Sequence, residues 1–231
     1  MIPQDLGGGA LPHSEMCHFI HEMSRDCSST ALAFAMHQQL IAASIWNYRR
    51  GNPGEKLLRR VVEGELVLVS TGATDWLSST GALHACEGGF RYSGSKRFAS
   101  GAPAGDLLIT SGRFHDPEAG WQVLHFPLSF RAEGVRVEND WKTMGMRGTG
   151  SNTVTIENAF VPADSISLRR APGVVHSSFA INTRQSEFSV LRTGFLFLAS
   201  FDSLPQSLFI PAQAQCPDAL MQIRPLHPQR T

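Results

Sequence analysis

Ala82-Leu83-His84-Ala85-Cys86-Glu87-Gly88-Gly89-Phe90-Arg91-Tyr92-Ser93 reads as a β-hairpin. Two short runs with strand-type side chains, Ala82 to Cys86 and Phe90 to Ser93, flank the turn signal Glu87-Gly88-Gly89. The same grammar extends to both sides. Upstream, Glu65-Leu66-Val67-Leu68-Val69-Ser70 is an apolar β-type run. Downstream, Asp106 to Thr110, Trp121 to Leu128, Val135 to Glu138 and Asn152 to Val161 follow at strand spacing, with Gly, Pro and Asp between them. That pattern predicts an antiparallel barrel or sandwich.

Ahead of residue 63 the period is different. Met16, Phe19, Ile20 and Met23 recur at helical spacing behind a cap expected at His13 or Ser14. Ser28, Ser29 and Thr30 offer a second cap to a helix over Ala31 to Tyr48, apolar on much of its circumference and so expected to be largely buried. Gly51 and Pro53 end it, and Glu55 to Val62 reads as a short amphipathic helix. Beyond Arg170 six prolines interrupt the chain (172, 205, 211, 217, 225 and 228), and no helical stripe persists. The expected class is therefore α+β: a helical region over 1–62, an antiparallel β-barrel-like domain over 63–170, and an irregular tail over 171–231.

Composition narrows the function classes. Of 231 residues, 42% are hydrophobic and 17% charged, ordinary for a chain with a real core. Lys plus Arg and Asp plus Glu number 20 each, so no global field favours nucleic acid or an anionic membrane, and little repulsion opposes self-association. Cys17, Cys27, Cys86 and Cys216 fall in no C-x-x-C pair and read as reduced thiols. Met1-Ile2-Pro3-Gln4-Asp5 lacks the pattern of a signal peptide, and Gly194 to Ala199 is too short to span a bilayer. A cytoplasmic location is expected.

Three local patterns carry little chemistry. His18 and His21 share a helix face beside Cys17 and Glu22 but have no third metal ligand, so no metal site is expected. Gly7-Gly8-Gly9 is a turn, because no strand precedes it and no Lys-Ser/Thr follows. Arg169-Arg170 reads as a solvated end to the β domain.

Four segments in order resemble the acyl-CoA dehydrogenase superfamily. Asp5-Leu6-Gly7-Gly8-Gly9-Ala10 resembles its P-x-x-x-G-G entry. Gly94-Ser95-Lys96-Arg97-Phe98-Ala99-Ser100-Gly101 resembles its G-x-K-x-W-I-T-N segment, with Phe for Trp and Ser for Thr. Trp141 to Ser151 resembles the G-x-R-x-T/S-x-S loop, and Val154 to Pro162 the strand that follows. The wording looks closest to the flavin-dependent monooxygenase-like branch.

The resemblance implies a flavin, FAD or FMN, at Val69, Ser70, Thr74, Phe98, Ala99 and Ser100. Phe98 would lie against the ring, Ser100 would reach its N5 edge, and Ser70 and Thr74 would bond its polar edge. Arg147 would bind an anion or pair with a carboxylate. Two departures stand out. The family's T-E-P-x-A-G-S-D segment is shortened here to Ser70-Thr71-Gly72-Ala73-Thr74-Asp75, and nothing after Arg170 resembles the four-helix C-terminal domain. The second departure implies an incomplete, inactive form with weak flavin binding, and no catalytic base carries over. The implied activity is dehydrogenation of an acyl thioester or oxygenation of a small aromatic or heteroatom substrate. The rivals are a non-catalytic truncated or frame-shifted product and a β-barrel binding module.

Overall fold

A computed structural model describes residues 1–71 and 78–174. Three helices come first: α1 (His13–Asp26), α2 (Ser28–Tyr48) and α3 (Glu55–Gly64). The helical stripe of α1 buries Met16 and Ile20, while Phe19 stays half exposed and meets Phe34 of α2 edge to face at 5.9 Å. No residue of α2 is exposed along its whole length, as its continuous apolar character requires. The caps differ from expectation. Pro12, not His13 or Ser14, precedes α1, with no side-chain cap. Cys27 caps α2, its sulfur accepting from the Thr30 amide at 3.4 Å and the Thr30 hydroxyl at 3.0 Å. The downstream hydroxyls are already inside the helix, so the cap falls to the residue before them. Cys86 is a free thiol, and the Cys17 sulfur lies 3.6 Å from Nδ1 of His13.

Glu65, in a left-handed conformation at φ 49°, ends α3 and turns the chain into the sheet. Eight strands follow: β1 (Leu68–Ser70), β2 (Ala82–Cys86), β3 (Gly89–Lys96), β4 (Leu107–Asp116), β5 (Gly120–Ser129), β6 (Val135–Val137), β7 (Val154–Pro162) and β8 (Leu168–Arg170). Their order is β6-β7-β3-β2-β4-β5-β8, with β1 attached to β4. The hairpin β2–β3 pairs Cys86 with Gly89, leaving Glu87 and Gly88 as its turn, with Gly88 at φ 74°.

Most ladders are antiparallel. The exceptions are β1 against β4, in register from Leu68↔Leu107 to Ser70↔Ile109, and one parallel bridge between β2 and β4 at Ala82↔Arg113. β8 was not foreseen, and Arg170 corrects the reading of a solvated basic pair. It is buried on β8, and its Nε lies 3.0 Å from Nε2 of His125 on β5. The expected irregular tail beyond Val174 lies outside the described residues.

Side chains from β1 to β5 and from β7 enclose one core, centred on Val69, Tyr92, Leu108, Leu124, Phe126, Val154 and Val161. Each such buried side chain contributes about 1.5–3 kcal/mol. A second cluster, with Ile41, Ile45, Leu58, Leu68 and Leu107, joins α2 and α3 to β1 and β4. The helices are thereby fastened to the sheet at the start of β1, one residue before the predicted site begins at Val69.

Lys96 is 1% exposed, and its ammonium donates to the carbonyls of Thr80 at 2.8 Å and Ser111 at 2.7 Å. Those contacts lock the end of β3 immediately before the segment Arg97–Gly101.

Candidate functional site

The chain leaves β3 at Lys96 and folds against the loop before β7. Two backbone bonds fasten it: Ala99 N–H to Asn152 O at 3.2 Å and Gly101 N–H to Thr149 O at 2.7 Å. Gly101 is at φ 83°, a conformation that suits glycine. Phe98, immediately before the first of these bonds, is at φ 59° and 63% exposed. A bulky residue in the left-handed region is costly, and here the cost is not recovered by burial. The ring instead stands edge to face with Trp141 at 6.0 Å. Trp141 is itself held, its indole N–H donating to Met146 O at 3.1 Å and its amide to Asn152 Oδ1 at 3.0 Å. Asp140, beside it, accepts from the hydroxyl and amide of Thr153, and those bonds hold its carboxyl below the usual carboxylate range.

Between the two segments runs a line of hydroxyls. Ser100 Oγ lies 2.9 Å from Ser151 Oγ, Ser151 Oγ lies 2.7 Å from Thr149 Oγ1, and Thr149 Oγ1 donates to Met146 O at 2.9 Å. Thr149 and Ser151 are buried, and Ser100 is half-buried.

The predicted residues sort as follows. Phe98, Ala99 and Ser100 form one turn, with Ala99 fully buried as its anchor. Val69 packs in the same core cluster as Ala99, so the end of β1 and this turn share a wall. Ser70, 7% exposed, makes no side-chain hydrogen bond among the described residues. Thr74 lies outside the described residues. Arg147 Nε donates to Thr143 O at 2.7 Å, and Arg147 pairs with no carboxylate among the described residues. The Trp141–Ser151 motif in the sequence assigns no task to Trp141, Thr149 or Ser151. The T-x-S spacing of the motif, beside a predicted Ser100, was the signal available.

A planar aromatic ligand with a polar edge fits this set of groups: an exposed ring, a half-buried hydroxyl beside it and, at the end of β1, a hydroxyl with no hydrogen bond among the described residues. Elsewhere, a groove of about 370 Å³ between β2 and β4, lined by His84, Arg113, His115 and Trp121 among others, contains none of the predicted residues. No group of three or more His, Cys, Asp or Glu among the described residues is placed to hold a metal ion, and no described helix is long and apolar enough to cross a membrane.

The chain is similar in sequence and in fold to known proteins. The family "Acyl-CoA dehydrogenase, N-terminal domain" matches residues 1–65. The chain is 27% identical over 198 residues to a dibenzothiophene monooxygenase of Mycolicibacterium goodii, covering 81% of this chain and 46% of that protein. It is 24% identical to the mitochondrial isovaleryl-CoA dehydrogenase of Oryza sativa subsp. japonica, covering 74% and 43%. In fold it is similar to KijD3, solved in complex with FMN and dTDP-3-amino-2,3,6-trideoxy-4-keto-3-methyl-D-glucose, at a TM-score of 0.73 and 24% identity, covering 89% of this chain and 54% of that one. The chain spans about half the length of the curated relatives it matches. Residues 1–65 match the acyl-CoA dehydrogenase N-terminal domain, and the chain as a whole is similar to acyl-CoA dehydrogenases and to monooxygenases that resemble them.

Proposed function

We propose that this chain contributes the flavin-facing wall of a flavin-dependent oxidoreductase, one that dehydrogenates an acyl thioester or oxygenates a small molecule. The observation that carries this reading is the clamp of Phe98–Gly101 on Thr149–Asn152, which holds an exposed aromatic ring and a half-buried hydroxyl in one turn. A flavin supplies hydride acceptance when oxidised and dioxygen activation when reduced. The chain's own residues bind and orient it. Phe98 packs against the ring system, Ser100 meets its N5 edge, Ser70 and Thr74 hold the polar edge, and Val69 and Ala99 form the apolar wall behind. The working division is a helical region over 1–62, a β domain over 63–170 and a tail over 171–231.

FMN or FAD binds weakly in this reading, with a dissociation constant at or above the micromolar range. The segment that would hold the polar edge is shortened to Ser70-Thr71-Gly72-Ala73-Thr74-Asp75, and a loss of about 4 kcal/mol of contacts costs roughly a thousandfold in affinity. The test is titration of the purified chain with FMN and with FAD, followed by flavin fluorescence. Saturable micromolar or weaker binding is expected. The absence of saturable binding would remove the flavin reading, and a yellow protein purified with stoichiometric, tightly held FAD would remove the weak-binding clause.

A further inference from the structure

The hydroxyl line from Ser100 inward has a direction, and the direction follows from proton counting. The Met146 carbonyl can only accept. It takes the Trp141 indole N–H, the Thr149 amide N–H at 3.2 Å and the Thr149 hydroxyl at 2.9 Å. Thr149 has one hydroxyl proton, and it is spent there. The 2.7 Å contact between Thr149 and Ser151 therefore carries the proton of Ser151. Ser151 also has only one, so the 2.9 Å contact with Ser100 carries the proton of Ser100. Thr149 is 0% exposed and Ser151 6%, so solvent offers neither a competing partner.

We infer that Thr149 and Ser151 act as positioning residues that turn the proton of Ser100 inward, so that Ser100 shows its ligand a lone pair and the site selects reduced over oxidised flavin. The inference rests on the flavin reading above. Oxidised flavin has a bare N5, which asks for a donor. Reduced flavin carries N5–H, which asks for an acceptor. Ser100 meets the second without rearrangement. To serve the first it must release Ser151, and losing one neutral hydrogen bond is worth roughly a fivefold change in affinity.

The experiment is anaerobic calorimetric titration of the full chain with oxidised FMN and with dithionite-reduced FMN. The wild-type chain should bind the reduced form about five- to tenfold more tightly. A tenfold preference raises the two-electron midpoint potential of the bound flavin by about 30 mV, which spectroelectrochemistry reads independently. Thr149→Val removes the acceptor for the Ser151 proton. That proton then turns to Ser100, whose own proton is released outward, and the preference falls to unity or reverses. Ser151→Ala frees the Ser100 proton by a different route and should shift the preference the same way, which covers the case in which Thr149→Val does not fold. Thr149→Ser restores the relay and should restore the preference. Equal affinity for both forms in the wild type, or a preference untouched by Thr149→Val and Ser151→Ala, would overturn the relay while leaving the flavin site standing. Failure of both forms to bind overturns the flavin reading and the relay with it.

Discussion

The amide of Leu68, at the first residue of β1, donates to Nδ1 of His37 in the middle of α2 at 2.9 Å. This bond ties helix to sheet and requires His37 to be neutral, with its proton on Nε2. Burial pushes its pKa down to about 4, against the ordinary 6.5. Above pH 6.5 the group is neutral folded and unfolded, and it contributes no pH dependence. Between about pH 6.5 and 4 the unfolded chain takes up a proton that the folded chain refuses, so stability falls as pH falls, by on the order of 3 kcal/mol. Below about pH 4 both states are protonated and the loss levels off. The measurement is urea unfolding from pH 7.5 to 4, in which His37→Gln should flatten the slope over that window. An unchanged slope would assign the acid sensitivity to other groups.

Gly134 and Gly120 both have positive φ, 80° and 72°, but their surroundings differ. A Cβ at Gly134 would run into the carbonyl oxygen of Glu157, whose own amide donates to Gly134 O at 2.8 Å. A Cβ at Gly120 would meet nothing within 4 Å. Gly120→Ala should therefore cost only the left-handed backbone term, about 1–2 kcal/mol, whereas Gly134→Ala should add an overpacking cost of about 1–3 kcal/mol. Chemical denaturation of the two variants side by side checks the difference, and equal losses would contradict it.

Lys96→Met keeps the buried stem and removes the hydrogen bonds to Thr80 O, Thr80 Oγ1 and Ser111 O. The Tyr92 hydroxyl, at 3.0 and 3.3 Å from the same two carbonyls, compensates only in part. The expected loss is about 1–3 kcal/mol, or roughly 3–10 °C in Tm. Calorimetric melting reads it, and a Tm equal to wild type would show that the two carbonyls do not depend on the Lys96 ammonium.

Ser100→Ala should weaken binding of reduced FMN by roughly fivefold or more, with a smaller effect on oxidised FMN, because it removes the only side-chain hydroxyl in the Phe98–Gly101 turn. Arg147→Ala should do less, since Arg147 is exposed and its one side-chain hydrogen bond, to Thr143 O, stays within its own loop. Spectral titration of both variants decides between them, and a larger effect for Arg147 would move the ligand's contacts onto the Trp141–Ser151 loop.

Phe98 and Met144 expose 63% and 89% of their surfaces, and the chain carries no net charge. Self-association at tens of micromolar is the expected consequence. Light scattering after size-exclusion chromatography should show a concentration-dependent mass that falls for Phe98→Ser combined with Met144→Ser. A concentration-independent monomer would count against it.

What the sequence disclosed depended on how far each interaction reaches along the chain. The β2–β3 hairpin was legible because Glu87 and Gly88 close it locally, and α2 because its apolar run needs no partner to be recognised. The parallel seat of β1 on β4 was not legible, since no local pattern encodes a partner that far away. β8 was missed for the same reason. Arg169-Arg170 looks solvated until His125, 45 residues upstream, is brought alongside Arg170. At the site, Phe98 and Ser100 were legible only through the resemblance, because a Phe and a Ser after a strand have no chemistry of their own. Thr149 and Ser151 became meaningful once the Gly101–Thr149 bond set them beneath Ser100.

The parallel pairing of β1 with β4 also orders events in time. Leu68 and Leu107 stand 39 positions apart, whereas β2–β3 and β4–β5 close across short turns. Hairpins form in microseconds, but a ladder that must first close a long loop waits on that search. β1 can dock only after β4 has formed, and α2 depends on β1 through His37. Refolding should thus run from the sheet outward, with the N-terminal helices, first off the ribosome, among the last parts to find their place.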